Sequence, residues 1–214
     1  HRDLHSFPTR RSSDLLLKPE PLLIVLSGPS GVGKDATLQA LKKRNIPLHF
    51  VVTATTRKPR PEETHGVDYF FYSKEKFQAM IEANELLEYA IVYDDYKGIP
   101  KDQVQKAMQS GRDVILRVDV QGAAKLRELN PEAVLIFLLP SSVEEWHQRL
   151  NDRQTETEES MNIRMNKVKW ELEYLKIFDY MVVNRHNQLE EAVETIVAII
   201  HAEHHRTNPR KITL

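Results

Sequence analysis

The glycine-rich segment from Gly28 to Asp35 most constrains what this chain can fold into; it reads Gly-Pro-Ser-Gly-Val-Gly-Lys-Asp. It follows the apolar residues 22–27 and precedes a helical pattern. In this order, glycines let backbone N–H groups surround phosphate oxygens, the helix N-terminus adds a positive dipole end, and the lysine reaches the outer phosphates. A turn that needs glycine only for its backbone angles would not require the lysine as well. The segment therefore predicts phosphate binding by Gly28, Pro29, Ser30, Gly31, Val32, Gly33, Lys34, Asp35 and Ala36.

The residue after the lysine departs from this motif. The motif has Ser or Thr, whose hydroxyl binds Mg²⁺, whereas this chain has Asp35. An aspartate near a helix start is also favoured by capping and by the helix dipole. Beside phosphate, a carboxylate is repelled unless a divalent cation lies between them. The functional interpretation therefore predicts a direct or water-bridged contact between Asp35 and Mg²⁺.

Composition sets the broad class of the protein. A chain of 214 residues, 41% hydrophobic and 29% charged, is long enough for one sizeable core with a small inserted lobe. The net charge of −1 gives no bulk attraction to nucleic acid or to an anionic membrane. The absence of cysteine excludes disulfides and thiolate sites, and no apolar run approaches the roughly 20 residues that span a bilayer. We expect a soluble protein that binds anions locally.

The texture of the sequence divides the chain into three parts. Residues 1–19 mix Arg and Ser without a hydrophobic period, so we expect a disordered leader or appended segment there. Its composition fits the remains of an organelle transit peptide and equally fits a sequence-assembly scar. Residues 20–206 are expected to form the folded domain, and residues 207–214 a C-terminal tail.

Apolar runs alternate with helical periods along the domain, which predicts a doubly wound α/β core with a parallel sheet. Ser142 and Glu145 make a plausible capping box for a helix that carries Trp146 and Leu150. Residues 54–100 are aromatic and mixed in pattern, which indicates an inserted α+β lobe that holds a second substrate. The predicted core strands are residues 22–26, 50–53, 114–118, 133–139 and 181–183, and the clearest helices are 36–44 and 189–203.

A second segment typical of phosphate binding lies at the start of the inserted lobe. Residues 55–61 read Thr-Thr-Arg-Lys-Pro-Arg-Pro, with Arg57 and Arg60 three residues apart on a loop stiffened by proline. Guanidinium groups bind phosphate oxygens bidentately. Four further features follow along the chain: the Gly-x-Asp-Tyr-Phe-Phe element at 66–71, Glu88, the Val-Asp-Val-Gln-Gly stretch at 118–122 and the arginine-bearing segment 153–164. Together with the glycine-rich segment and the arginine loop, they make the chain resemble the guanylate kinase family from about residue 22 to residue 203.

This resemblance implies transfer of the γ-phosphoryl group of ATP to GMP or dGMP on a P-loop nucleoside monophosphate kinase fold with a helical lid at about 147–165. It implies that Glu88 accepts hydrogen bonds from guanine, whose N1–H and amino group are both donors. Asn184 matches an adenine-side position, although a strand-end turn residue explains it nearly as well. The implied phosphate ligands of GMP are Thr53, Arg57, Arg60 and Tyr69, and the implied lid cations are Arg149, Arg153 and Arg164, of which Arg153 and Arg164 act in catalysis with Lys34 and Arg60.

Departures from the family pattern cluster near the acceptor and the metal. In the loop from Tyr96 to Ile99, Lys97 and Ile99 stand where the family usually has residues with a hydroxyl group. The family also usually has two aspartates separated by one residue; in this chain the first is replaced by Arg117 and the second is Asp119. We expect Tyr96 and Lys97 to contact GMP, with Lys97 on its phosphate, and Asp119 to join Asp35 at Mg²⁺. In these departures the chain is similar to the guanylate kinases of plant organelles. This similarity favours a plastid or mitochondrion as the location of the protein, with the cytoplasm as the alternative. We expect a monomer.

Two other functions compete with this interpretation. A related kinase could phosphorylate another acceptor, such as a ribose bisphosphate, but such an acceptor offers no guanine edge to Glu88. A noncatalytic module could hold a phosphopeptide on Arg57 and Arg60. The complete cradle with Lys34 argues against that module.

Overall fold

A computed structural model describes residues 20–44, 46–92, 94–146 and 170–213, and within them the chain forms two sheets. The larger sheet has five strands, and all its neighbouring pairs are parallel. Its strands are β1 (Leu23–Ser27), β2 (Leu48–Phe50), β7 (Asp113–Arg117), β8 (Val134–Pro140) and β9 (Tyr180–Asn184), in the order β2-β7-β1-β8-β9. The central strand β1 is fully buried, as its unbroken apolar run predicts.

Helices cover both faces of this sheet because side chains of β1 alternate between two cores. Ile24 and Leu26 belong to one apolar cluster, and Leu23 and Val25 belong to the other. The first cluster includes residues of α1 (Lys34–Lys42) and α5 (Leu189–His204). The second includes residues of α3 (Lys101–Gln109) and α4 (Val120–Leu129). This layered arrangement is the predicted α/β core.

The segment predicted as an inserted lobe forms a second, mixed sheet. Its strands are β3 (Ala54–Thr55), β4 (Phe70–Phe71), β5 (Leu86–Val92) and β6 (Asp95–Pro100), in the order β4-β3-β6-β5. The helix α2 (Lys74–Glu82) begins after Ser73, whose side chain accepts a hydrogen bond from the Lys76 N–H. Phe77 and Met80 of α2 are buried in a small core of the lobe. The predicted lid at about 147–165 lies outside the described residues.

Two local predictions are wrong. The strand predicted at 50–53 ends at Phe50, because residues 51–53 carry the chain from the large sheet to β3 in the small one. The segment from Tyr96 to Ile99, interpreted as a loop, belongs to β6, which pairs antiparallel with β5. Gly98 permits this packing, since a Cβ there would lie 2.9 Å from the Phe77 ring. A strand with lysine and glycine in place of alternating apolar residues has no clear periodic signal.

The residues after α5 are anchored to the core, in contrast to the simple tail predicted. Arg210 donates to both oxygens of Glu203 at 2.7 and 3.0 Å, and both residues are buried. Burial alone would raise the pKa of Glu203, but hydrogen bonds from Arg210 and the Tyr180 hydroxyl lower it below its ordinary value. Ile212 packs on the second apolar cluster. Among the described residues, no helix has both the length and the apolar character that crossing a membrane requires.

Gly28 connects β1 to the glycine-rich loop at a close contact with the backbone of β8. Its φ is 142°, and a Cβ there would lie 2.3 Å from the Leu138 carbonyl oxygen. A backbone atom of a central strand cannot move aside as a flexible side chain can. The loop therefore reaches its position only with glycine at residue 28.

We predict that Gly28→Ala lowers the free energy of unfolding by about 3 kcal/mol, because it adds both a clash and backbone strain. Gly111→Ala is the matched control: its φ is also positive, at 74°, but a Cβ there meets nothing within 4 Å. The control should lose only about 1 kcal/mol. Urea unfolding of both variants measures the difference, and equal losses would show that the contact with Leu138 is unimportant.

Candidate active site

The glycine-rich loop forms a cradle that ends at the start of α1. Gly31 and Gly33 have positive φ of 82° and 97°, so successive N–H groups can turn toward one side of the loop. Gly33 is the N-cap of α1 and, as a glycine, supplies no side-chain acceptor to the first-turn N–H groups. The first turn of α1 therefore presents its amides and the positive end of the helix dipole to the cradle, as anion binding requires.

Lys34 lies inside this cradle. Its Nζ donates to the Gly28 carbonyl at 2.6 Å and to the Pro29 carbonyl at 2.9 Å. Burial lowers the pKa of Lys34 from 10.5 to about 8, with Glu171 opposing part of that decrease. The side chain is therefore still mostly an ammonium at pH 7. Its two acceptors are both backbone carbonyl oxygens, which are uncharged.

Two side chains from other elements hold the outside of the cradle. The Trp146 indole N–H donates to the Ser30 carbonyl, and the Asn184 amide donates to the Val32 carbonyl, both at 2.8 Å. Trp146 follows the predicted helix cap, in which the Ser142 hydroxyl accepts from the Glu145 N–H at 3.1 Å. These contacts give Trp146 and Asn184 a structural role that the sequence did not indicate. The adenine-side role of Asn184 stays a prediction.

A cavity of about 500 Å³ lies between the cradle and the small sheet. It brings together residues that the sequence placed in two separate groups. From the cradle side it is lined by Gly28, Ser30, Gly31, Gly33, Lys34, Asp35 and Ala36, and from the acceptor side by Thr53, Tyr69, Glu88, Lys97 and Asp119. A single space thus joins the predicted donor and acceptor sites.

Glu88 provides a buried carboxylate to the lining of this cavity. The residue is only 7% exposed, and its Oε1 atom has no hydrogen-bond partner within the described part of the chain. The nearest cation is the Lys125 ammonium, 3.5 Å from Oε1. Burial raises the pKa of Glu88 to about 7, and Lys125 opposes this increase. A buried carboxylate oxygen that lacks a hydrogen bond can accept one from a ligand that brings its own N–H groups.

The arginine loop lines a second, adjoining cavity of about 520 Å³. Arg57 forms a bidentate pair with Glu63 at 2.8 and 2.9 Å, and its guanidinium lies over the Tyr69 ring at 5.3 Å. Arg60 is exposed, and its backbone N–H also donates to Glu63 at 2.8 Å. Glu63 therefore organises the loop, although nothing in the sequence motif singled it out. This carboxylate already occupies one N–H on each terminal nitrogen of Arg57.

Lys97 and Arg117 line both cavities, so they lie where the two meet. Arg117 forms an ion pair with Asp35 and donates a hydrogen bond to the Tyr69 hydroxyl. Asp119 caps α4, since its side chain accepts from the Gly122 N–H at 2.9 Å. In the ranges described, no three acidic or histidine side chains cluster as a metal site. The two predicted metal carboxylates thus line one cavity, with Asp35 already paired to a cation.

Tyr96 lines neither of these two cavities, and its ring stacks on Phe77 at 5.1 Å within the lobe. Its backbone carbonyl accepts a hydrogen bond from the Thr55 hydroxyl at 3.0 Å. The lid cations Arg149, Arg153 and Arg164 lie outside the described residues.

Comparisons with known proteins agree with this geometry. A sequence profile described as "Guanylate kinase" matches residues 20–203. Guanylate kinase 2, chloroplastic/mitochondrial, from Oryza sativa subsp. japonica is 47% identical over 207 residues, which is 96% of this chain and 73% of that protein. Guanylate kinase from Halalkalibacterium halodurans is 50% identical over 187 residues, 87% of this chain and 91% of that protein.

The fold agrees as well. The crystal structure of guanylate kinase from Anaplasma phagocytophilum superposes with a TM-score of 0.73 at 29% identity, covering 89% of both chains. This match confirms the predicted fold class. Because the family profile and relatives of nearly half identity extend over most of its length, the chain belongs to the guanylate kinase family.

Proposed function

We propose that this protein transfers the γ-phosphoryl group of ATP to GMP, or to dGMP, with formation of ADP and GDP or dGDP. The observation that carries this proposal is the single cavity that joins the Lys34 cradle to the buried Glu88 carboxylate. One end suits a polyphosphate and the other suits a base with hydrogen-bond donors. Family membership agrees with both halves.

On the donor side, the cradle amides and Lys34 bind the phosphates of ATP. The ammonium supplies a charge near the β- and γ-phosphates, where negative charge is greatest. The lid cations Arg149, Arg153 and Arg164 complete this side by their motif positions, and Asn184 lies near adenine. Closure of a lid over ATP excludes water, which would otherwise accept the phosphoryl group.

On the acceptor side, Glu88 selects guanine. An ionised carboxylate offers only acceptors, which match the guanine N1–H and amino group, whereas adenine presents an acceptor at N1. Thr53, Arg57, Arg60 and Tyr69 bind the GMP phosphate, and Lys97, which lines both cavities, approaches the same group. Tyr96 belongs to the GMP-binding residues by its motif position alone.

The reaction needs no general base from the protein. A phosphate monoester has a second pKa near ~6, so the attacking oxygen of GMP is already ionised at neutral pH. That oxygen bonds to the γ-phosphorus while the bond from the γ-phosphorus to the β–γ bridging oxygen breaks. Lys34, Arg60, Arg153 and Arg164 stabilise the charge on the transferred group, and positioning supplies the rest.

The cavity also fits a magnesium ion bound mainly by phosphates and water. Mg²⁺ keeps several waters and takes one or two carboxylates in such kinases. Asp119 lines the cavity and would hold the ion, and Asp35, which is already paired with Arg117, would contribute through water. When bound, Mg²⁺ neutralises charge on the donor phosphates.

We place the enzyme in a plastid or mitochondrion, with the cytoplasm as the alternative. Support comes from the rice relative, whose name gives both organelles, and from the departures at Asp35 and Arg117. We further propose a monomer, because both halves of the cavity come from one chain. We expect neither nucleic acid nor a membrane as a partner, given the net charge of −1.

A coupled assay of ADP formation tests the reaction. With ATP and Mg²⁺, we expect turnover with GMP and at least a hundredfold lower kcat/KM with AMP, CMP or UMP, because only guanine satisfies Glu88. Lys34→Ala should abolish turnover. Lys106→Ala, which removes an exposed lysine paired with Asp102 outside both cavities, should not. Phosphopeptide binding without turnover, or turnover with a ribose bisphosphate in place of GMP, would support the rival functions.

The ionisation of Glu88 should govern guanine recognition. Because its pKa is about 7 and the carboxylate is the binding form, affinity for guanosine should fall about tenfold between pH 8 and pH 6. Guanosine is the probe since it lacks the phosphate, which titrates in the same range. Binding calorimetry across this range measures the transition.

Lys125→Met provides the control for this assignment. Lys125 lowers the pKa of Glu88, so its loss should move the transition to higher pH, whereas Lys106→Met should leave it in place. A transition that stays unchanged in Lys125→Met, or persists in Glu88→Gln, would show that another group controls binding.

A further inference from the structure

Two of the departures from the family motif, Asp35 and Arg117, contact each other. Arg117 Nη1 forms an ion pair with the Asp35 carboxylate. Arg117 Nη2 donates to the hydroxyl of Tyr69, and the Arg117 guanidinium lies 5.1 Å from the centre of the Tyr69 ring. One arginine thus connects the first turn of α1 to the segment that the motif assigns to the acceptor phosphate.

The position of Arg117 is central to the site. It ends β7 and pairs in register with Leu26 of β1, the strand that leads into the cradle. Its side chain is 21% exposed and lines both cavities, so its guanidinium faces the space between the donor and acceptor sites. In a doubly wound sheet, this carboxyl edge is where ligands bind.

The guanidinium still has capacity for an anion. It carries five N–H donors, and the contacts with Asp35 and Tyr69 occupy one on each terminal nitrogen. The carboxylate that pairs with Arg117 is accessible to solvent, since the Asp35 side chain is 73% exposed. Arg57 likewise has one N–H on each terminal nitrogen engaged by Glu63, and its Nη1 also donates to the Lys58 carbonyl. Arg117 therefore keeps more of its donors for a phosphate beside Tyr69 than Arg57 does.

We propose that Arg117 binds the phosphate of GMP, and that Asp35 is a positioning residue that holds Arg117 for this contact. The proposal rests on the proposed function and adds a ligand to the acceptor site. It also explains the aspartate in the phosphate cradle. A lone carboxylate at residue 35 would repel nucleotide phosphates, but one neutralised by Arg117 orients a cation toward them.

Binding of GMP and of guanosine, without ATP or Mg²⁺, tests the contact. Arg117→Met should weaken GMP binding about ten- to a hundredfold, the effect expected for loss of a charged hydrogen-bond partner. Guanosine binding should change less than twofold, because only the phosphate meets Arg117. Arg44→Met is the matched control: Arg44 also pairs with a carboxylate, Glu190 at 2.6 Å, but lines neither cavity, so both affinities should be unchanged.

The outcomes separate ligand binding from a structural role. Equal losses of GMP and guanosine would mean that Arg117 only supports the fold, and unchanged GMP affinity would mean that it does not touch the phosphate; either result overturns the proposal. If Arg117→Met does not fold, Arg117→Lys keeps the charge without the fork and should still lose GMP affinity alone. A wild-type protein that does not bind GMP would instead contradict the proposed function.

A double-mutant cycle tests the role of Asp35. If Asp35 acts through Arg117, Asp35→Asn should weaken GMP binding less than Arg117→Met does, and the double variant should bind GMP no more weakly than Arg117→Met. Additive losses, or no effect of Asp35→Asn, would overturn the positioning role. A direct metal role predicts something different: Asp35→Asn would raise the Mg²⁺ concentration for half-maximal ADP formation even in the Arg117→Met background.

Discussion

Electrostatic repulsion between two phosphates is the constraint on which this site depends. A phosphoryl transfer needs two anionic groups nearly in contact, and bare proximity opposes that. The chain supplies fixed positive charge and dipoles at one edge of one sheet: the cradle amides, Lys34 in the first turn of α1, and Arg117 at the end of β7. Neighbouring parallel strands make this concentration possible, because their carboxyl ends lie side by side.

Concentrated positive charge requires compensation when no ligand is bound. Each central cation has a partner of its own: two carbonyl oxygens for Lys34, Asp35 for Arg117 and Glu63 for Arg57. Each of these partners carries less negative charge than a phosphate with two negative charges and therefore attracts the cation less strongly. In the proposed reaction, ligand binding therefore exchanges one set of hydrogen bonds for another and does not have to create a charged site. The lowered pKa of Lys34 shows that burial still opposes its charge.

Local signals explain which parts of this site the sequence could predict. The cradle was predictable because its function needs a contiguous run of glycines and a lysine, and the core strands because burial on both faces demands unbroken apolar residues. Glu88 came from the family resemblance, while its burial and its ion pair with Lys125 came only from the fold. The strand β6 and the anchoring role of Glu63 depend on cross-strand pairing and on loop closure, which leave no periodic trace in the sequence.

The pair of Asp35 and Arg117 shows why motif departures are best interpreted together. Taken singly, Asp35 puts a negative charge in the proposed phosphate cradle, and Arg117 puts a partly buried cation where the motif has an aspartate. Each change alone would disturb the charge of the cavity, in opposite directions. Paired across the site, they cancel while leaving a guanidinium directed at both cavities. The chemistry of a phosphate site is therefore set by its net charge and by which group faces the ligand. Two positions of a motif can both change while the net charge of the site stays the same.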